Sequence, residues 1–150
     1  MEAAALLHDV DKTLPRDHRP SGQHGTAGAS WLASLGHPEL AEAITLHPVT
    51  LLVDEDGAAR VLTASLEARI VAYADKRAGQ RLQPMAARFA RWCRRRPHSR
   101  GRGGWRPEIA DRAWQRACEL ERAVCELAAC RPDEVRRLRW TGAALRRAAG

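Results

Sequence analysis

Ala3-Ala4-Ala5-Leu6-Leu7-His8-Asp9-Val10-Asp11-Lys12 runs five consecutive apolar residues into a His-Asp pair, a second carboxylate and a lysine. A segment that is apolar all round belongs inside a helical core, and the His-Asp pair at its end would be partly buried with it. Burying an imidazole and a carboxylate without partners costs on the order of several kcal/mol. A divalent metal would supply the partner, because neutral imidazole and carboxylate oxygen are both ligands for such ions. The alternative is a helix C-terminus carrying a dipole-favoured histidine and a solvated aspartate. Residues further along the chain decide between the two.

Most of the chain beyond Lys12 reads as helix. Residues 13–23 carry two prolines and a glycine and form a loop. Residues 24–35 read as a helix closed by Gly36, with small residues at 25, 27, 28 and 29 that let a second helix come close. Pro38 suits a first helical position, and residues 39–46 continue with Leu40 and Ile44 inward, up to His47-Pro48. Residues 49–63 show no helical period, and Asp54-Glu55-Asp56-Gly57 predicts a turn within a short hairpin. Residues 65–78 form a strong helix, capped by Ser65, with Glu67 in its first turn and a stripe of Leu66, Ile70, Tyr73 and Ala74. Asp75 falls among Ala68, Val71, Ala72 and Ala78, so its carboxylate must neutralise or find a cation, whether a metal, Arg69, Lys76 or Arg77. Residues 84–95 make a further helix with Met85, Phe89 and Trp92 inward. Residues 108–130 make a long amphipathic one, with Ile109, Ala113, Ala117, Leu120, Val124 and Leu127 at spacings of three and four. A last helical piece starts at Pro132.

Composition bounds the function. A chain of 150 residues, 45 % hydrophobic but only 5 % aromatic, can build one helical core. No apolar run is long enough to span a membrane and the start lacks a signal-peptide pattern, so a cytoplasmic protein is expected. Cys93, Cys118, Cys125 and Cys130 lack metal-site spacing and read as small hydrophobes. Charge is divided unevenly: residues 1–75 hold 5 Lys/Arg against 11 Asp/Glu, and residues 76–150 hold 20 against 7. The acidic half suits cations and the basic half suits phosphates or acidic surfaces. Residues 94–106, arginine-rich with Trp105, have linker composition and either connect or contact RNA through phosphates and stacking.

Four landmarks in this order resemble the HD-domain metal-dependent phosphohydrolases: His8-Asp9-Val10-Asp11-Lys12, His24-Gly25-Thr26-Ala27-Gly28-Ala29, Ala43-Ile44-Thr45-Leu46-His47-Pro48 and Ile70-Val71-Ala72-Tyr73-Ala74-Asp75-Lys76. Together they cover roughly residues 3–92, and the layout is most similar to HDIG-type proteins and to the HD-type hydrolases of symmetrical dinucleoside tetraphosphates. The resemblance implies an all-α bundle with metal at its centre. It implies His8, Asp9 and Asp75 as ligands, His24 and His47 as ligands of a second ion, and Lys12 as a contact for substrate phosphate. Asp9 would orient or deprotonate a water, and Lys76 joins Lys12 as a candidate substrate contact. The implied cofactor is one or two divalent ions, of Mn, Fe, Co, Ni, Zn or Mg. The family pattern also has an upstream histidine, which the seven residues before His8 do not contain, and Asp11 stands where a small residue is usual.

The expectation is an all-α HD-domain helical bundle over residues 1–96 with a basic linker and helical extension over 97–150. The activity expected is metal-dependent hydrolysis of a phosphoester or phosphoanhydride in a phosphorylated small molecule, a nucleotide by preference, with symmetrical dinucleoside tetraphosphates among the candidates. Two other classes stay open: a non-catalytic HD module binding nucleotide or metal for regulation or assembly, and an RNA-binding protein using residues 94–106. The apolar residues 1–7 also need cover, from the helix at 108–130 folding back, from a second copy of the chain, or from residues upstream.

Overall fold

A computed structural model describes residues 1–15, 22–79, 82–95 and 106–137, with residues 91–95 and 136–137 described by backbone alone. The chain is all-α: α1 (Glu2–Leu7), α2 (Val10–Thr13), α3 (Thr26–Ser34), α4 (Ala41–Leu46), α5 (Glu55–Thr63), α6 (Leu66–Arg77), α7 (Met85–Arg95) and α8 (Pro107–Leu127). Short 3-10 turns at Pro38–Leu40, Val49–Leu52 and Glu134–Arg137 join or follow them, and among the described residues there is no strand.

Helix α6 is the axis. Ser65 caps it, its hydroxyl accepting from the Ala68 amide at 3.3 Å. α1, α4, α5, α7 and α8 all pack against it. Its buried positions are Ala68, Val71, Ala72, Tyr73, Lys76 and Arg77, so the apolar face ends in two cations in the last turn. Leu66, expected inward, is exposed. A smaller core joins α3 and α4 through Ala29, Leu32 and Ile44, with Leu7 and Val10 against it. The small residues of α3 permit that approach: a Cβ on Gly28 would stand 3.2 Å from a Val10 methyl.

Residues 49–63 depart from the expected hairpin. They form the Val49–Leu52 turn and α5. Asp54, read as a turn residue, is the helix N-cap, and its carboxylate accepts from the Gly57 amide at 2.7 Å. Gly57 is there for space, since a Cβ would collide with the Leu51 carbonyl. Ala58 and Val61 then enter the core, one turn of helix apart.

Helix α8 packs on α6, on α5 and on the Val49–Leu52 turn. Ala113, Ala117, Leu120, Val124 and Cys125 join the main core, while Leu127 is 59 % exposed, contrary to the periodic reading. Enclosing Leu120 completely contributes about 1.5–3 kcal/mol. Polar ties reinforce the contact: Arg77 Nη1 lies 2.8 Å from Glu121 Oε1, which also accepts from the Tyr73 hydroxyl at 3.0 Å. With α8 seated there, it does not cover the first helix. α1 buries only Ala4, and Leu6 remains 85 % exposed. A helix of one and a half turns packed on α4 and α6 has one inward face, which overrides its uniform hydrophobicity. The boundary expected between residues 96 and 97 lies outside the described residues, as does most of the basic stretch 94–106.

Candidate metal centre

Each of the singled-out histidines and aspartates lies at or beside a helix end. His8 closes α1, Asp9 opens α2, His24 stands before α3, His47 closes α4 and Asp75 lies in the last turns of α6. Helix ends bring together residues far apart in sequence because the helices themselves converge there. Gly25 makes the tightest of these approaches. Its φ of +87° and its position against α4, where a Cβ would meet Pro48 Cγ at 2.8 Å and the Ile44 carbonyl at 2.9 Å, exclude other residues.

Three imidazoles present the same nitrogen to one point. The His24 and His47 Nε2 atoms are 3.0 Å apart, and each is near Asp9 Oδ1, at 3.2 and 3.4 Å. His8 Nε2 lies 3.7 Å from Asp9 Oδ2 and 3.7 Å from Asp75 Oδ1. Donor atoms of His8, Asp9 and His47 all fall within 4.8 Å of one another. The site thus brings together His8, Asp9, His24, His47 and Asp75. His37 is elsewhere, exposed beside Glu39, and His18 is outside the described residues.

The other ring nitrogen of each histidine is already engaged. His8 Nδ1 donates to the Ala5 carbonyl at 2.7 Å and His47 Nδ1 to the Ile44 carbonyl at 2.6 Å. His24 Nδ1 donates to the Asp11 carboxylate, at 2.9 and 3.0 Å. A carbonyl can only accept, so the proton of His8 and His47 sits on Nδ1 and the Nε2 lone pair faces the site. Asp11 does the same for His24 with a negative charge, which makes the imidazole a stronger donor towards a metal.

Asp11 is a member of this network that the sequence reading left as an added charge beside the site. Its carboxylate is buried, and it accepts from the Gly25 amide at 3.2 Å as well as from His24. The readable signal was its position two residues after Asp9, in the same short helix.

Electrostatics follow from this packing. Burial works against the Asp9 carboxylate, but the hydrogen bond from His24 and the hydrogen bond and charge of Lys12 outweigh it and hold its pKa far below the carboxylate range. Burial likewise opposes ionisation of Asp11 and Asp75; His24 and the Gly25 amide in the first case, and Lys76 in the second, keep both ionised. The hydrogen bond to Asp9 raises the His24 pKa, with Asp11 adding to it, while burial lowers that of His47. With His24 Nδ1 given to Asp11, its Nε2 proton is shared between Asp9 Oδ1 at 3.2 Å and the His47 Nε2 lone pair at 3.0 Å.

The two lysines take different places. Lys12 is exposed and its ammonium is 2.7 Å from Asp9 Oδ1, at the mouth of the site. Lys76, expected to contact substrate, is buried and directed at protein acceptors, the His47 carbonyl and Asp75 Oδ2, the latter at 3.0 Å. It fixes the end of α4 to α6 and so positions two members of the cluster. Imidazoles anchored through Nδ1, that of His24 after release of its Nε2 proton, together with ionised carboxylates make a donor set that fits a divalent first-row ion. His8, Asp9, His24, His47 and Asp75 are the residues that would hold it.

A family model described as HD domain matches residues 1–79. No curated protein and no solved structure matches the chain. Among the described residues, no helix is long and apolar enough to cross a membrane.

Proposed function

The chain belongs to the HD-domain family, and from that premise we propose that it is a metal-dependent phosphohydrolase acting on a phosphoester or phosphoanhydride of a nucleotide, symmetrical dinucleoside tetraphosphates included. One observation carries the reading. Three histidine Nε2 atoms face ionised Asp9 with every Nδ1 already bonded, an arrangement that gives the lone pairs of His8 and His47 no donor among the described residues other than the His24 proton. When bound, the ion supplies Lewis acidity towards a phosphoryl oxygen and lowers the pKa of water.

The chain's own residues do the rest. Asp9, kept ionised by its His24 and Lys12 donors, accepts a hydrogen bond from the attacking water and orients it. Asp11 and the Ala5 and Ile44 carbonyls hold the imidazoles in one tautomer, so none must rotate during turnover. Lys12 at the mouth offsets the charge of an incoming phosphate, within reach of the Asp9 carboxylate it already touches.

The test is metal content and turnover measured on the same preparation. The purified chain, loaded with Mn, should retain the ion through gel filtration. It should hydrolyse a nucleotide phosphoester or diadenosine tetraphosphate, and lose the activity to EDTA and to Asp9→Ala. Retained metal with no hydrolysis across a panel of nucleotides would favour a non-catalytic binding module. Turnover that survives both EDTA and Asp9→Ala would overturn the assignment.

A further inference from the structure

A second feature sits directly beside the histidine cluster. A cavity of 60 Å³ is lined by Val49, Asp75, Lys76, Arg88 and Phe89, between the Val49–Leu52 turn, the end of α6 and α7. Asp75 belongs to both places, because its Oδ1 faces His8 Nε2 at 3.7 Å. Among the described residues two cations, Lys76 and Arg88, line the cavity, and they differ in their commitments. The Lys76 ammonium is bound to the His47 carbonyl and Asp75. Arg88 is half-buried, and its guanidinium has no hydrogen bond or ion pair to any described residue.

We propose that this cavity takes a phosphate group of the substrate and that the Arg88 guanidinium is its anchor, an inference that rests on the phosphohydrolase reading. Arginine is mostly exposed or paired in folded proteins. With the Lys76 ammonium already paired with Asp75, the half-buried Arg88 is the cation at this cavity left without an anion among the described residues. Its planar fork matches two phosphate oxygens at once, which an ammonium cannot do. Val49 and Phe89 provide apolar walls, so the charge acts with less screening than at an open surface. Size narrows the ligand further. At about 10–15 Å³ for each water the space holds a few such molecules, enough for a tetrahedral oxyanion but not for a nucleobase as well. The phosphate lodges here next to Asp75, and the nucleoside stays outside. Lys76 contributes its charge from within the wall, and the contact falls to Arg88.

The experiment compares wild type with Arg88→Gln and Arg88→Lys in three titrations: Mn, orthophosphate and AMP, the last two on Mn-loaded protein by calorimetry. Arg88→Gln should weaken orthophosphate and AMP by about tenfold or more, the loss of a charged hydrogen-bonding partner. Mn affinity should stay within about twofold, since Arg88 makes no hydrogen bond or ion pair with His8, Asp9, His24, His47 or Asp75. Arg88→Lys should fall between the two. Equal phosphate affinity in all three proteins overturns the proposal, and so does a joint loss of Mn and phosphate binding in both variants, which would mark Arg88 as structural. Failure of the wild type to take up Mn would instead refute the phosphohydrolase reading. The orthophosphate titration repeated in EDTA still decides the anchor: weaker binding that depends on Arg88 sustains it, and binding indifferent to Arg88 overturns it.

Discussion

Replacing Asp11 by Asn isolates the part of the site that depends on proton placement. The side chain keeps its size, and one amide oxygen can still accept from the Gly25 amide, 3.2 Å from Asp11 Oδ2. The amide nitrogen then faces His24 Nδ1, which stands 2.9 and 3.0 Å from the two carboxylate oxygens. An amide N–H is a donor, and the one remaining oxygen is shared between Gly25 and His24 without its charge, so the imidazole tautomer with its proton on Nε2, the nitrogen that faces Asp9 and His47, gains population. That tautomer cannot ligate a metal. Removing a partner of this kind costs about 10–100-fold in metal affinity. Replacing a buried charged hydrogen bond also removes about 1.5–3 kcal/mol from the metal-free protein. Competition of Mn against a fluorescent chelator gives the first quantity, and urea unfolding in EDTA gives the second. Asp11→Ala should show the stability loss with a smaller effect on affinity, because it leaves His24 free to choose its tautomer. If Asp11→Asn binds Mn as the wild type does, the tautomer argument is wrong, whatever the change in stability.

Other outcomes follow from the same geometry. The folded, metal-free chain holds the His24 proton more tightly than the unfolded chain, so its contribution to stability is complete below the ordinary value of 6.5 and is lost as pH rises through the raised value. Metal must displace that proton, so Mn affinity should rise over the same interval with proton release; calorimetry in buffers of different ionisation enthalpy measures it, and pH-independent binding between 6 and 8 would contradict the protonation scheme (roughly the interval in which histidine titrates). Gly25→Ala should lower thermal stability by about 1–3 kcal/mol and weaken Mn binding, because φ of +87° and the Ile44 carbonyl both oppose a Cβ; an unchanged melting curve would show that the loop has room. Glu121→Gln removes the charge paired with buried Arg77 at 2.8 Å and should cost about 3–5 kcal/mol in urea unfolding. A cost below about 1 kcal/mol, the range of a surface pair, would mean that α8 is not tied to α6 through this contact.

Sequence alone carried the helices whose signals are local. Ser65 before a periodic apolar run, Pro38 at a helix start and Gly36 after α3 each act within a turn of their own position. The set His8, Asp9, His24, His47 and Asp75 was legible for a related reason: each stands at or near the end of a helix that could be read, in a fixed order. Residues 49–63 were not, because Asp54 and Gly57 carry the same letters in a turn and in a capped helix. The collision that demands Gly57 involves the Leu51 carbonyl, which only the folded backbone brings near. The uniform hydrophobicity of α1 misled in the opposite direction, since burial is decided by how many neighbours a short helix has. Proton placement and charge direction belong wholly to the tertiary structure. Asp11 meets His24 across 13 residues, Lys76 turns inward to a carbonyl 29 residues away, and Arg88 is left facing a cavity beside Asp75. Whether a charged side chain supports a ligand, braces a helix or waits for an anion depends on which acceptors lie within about 3 Å of it, and packing between distant segments sets that distance.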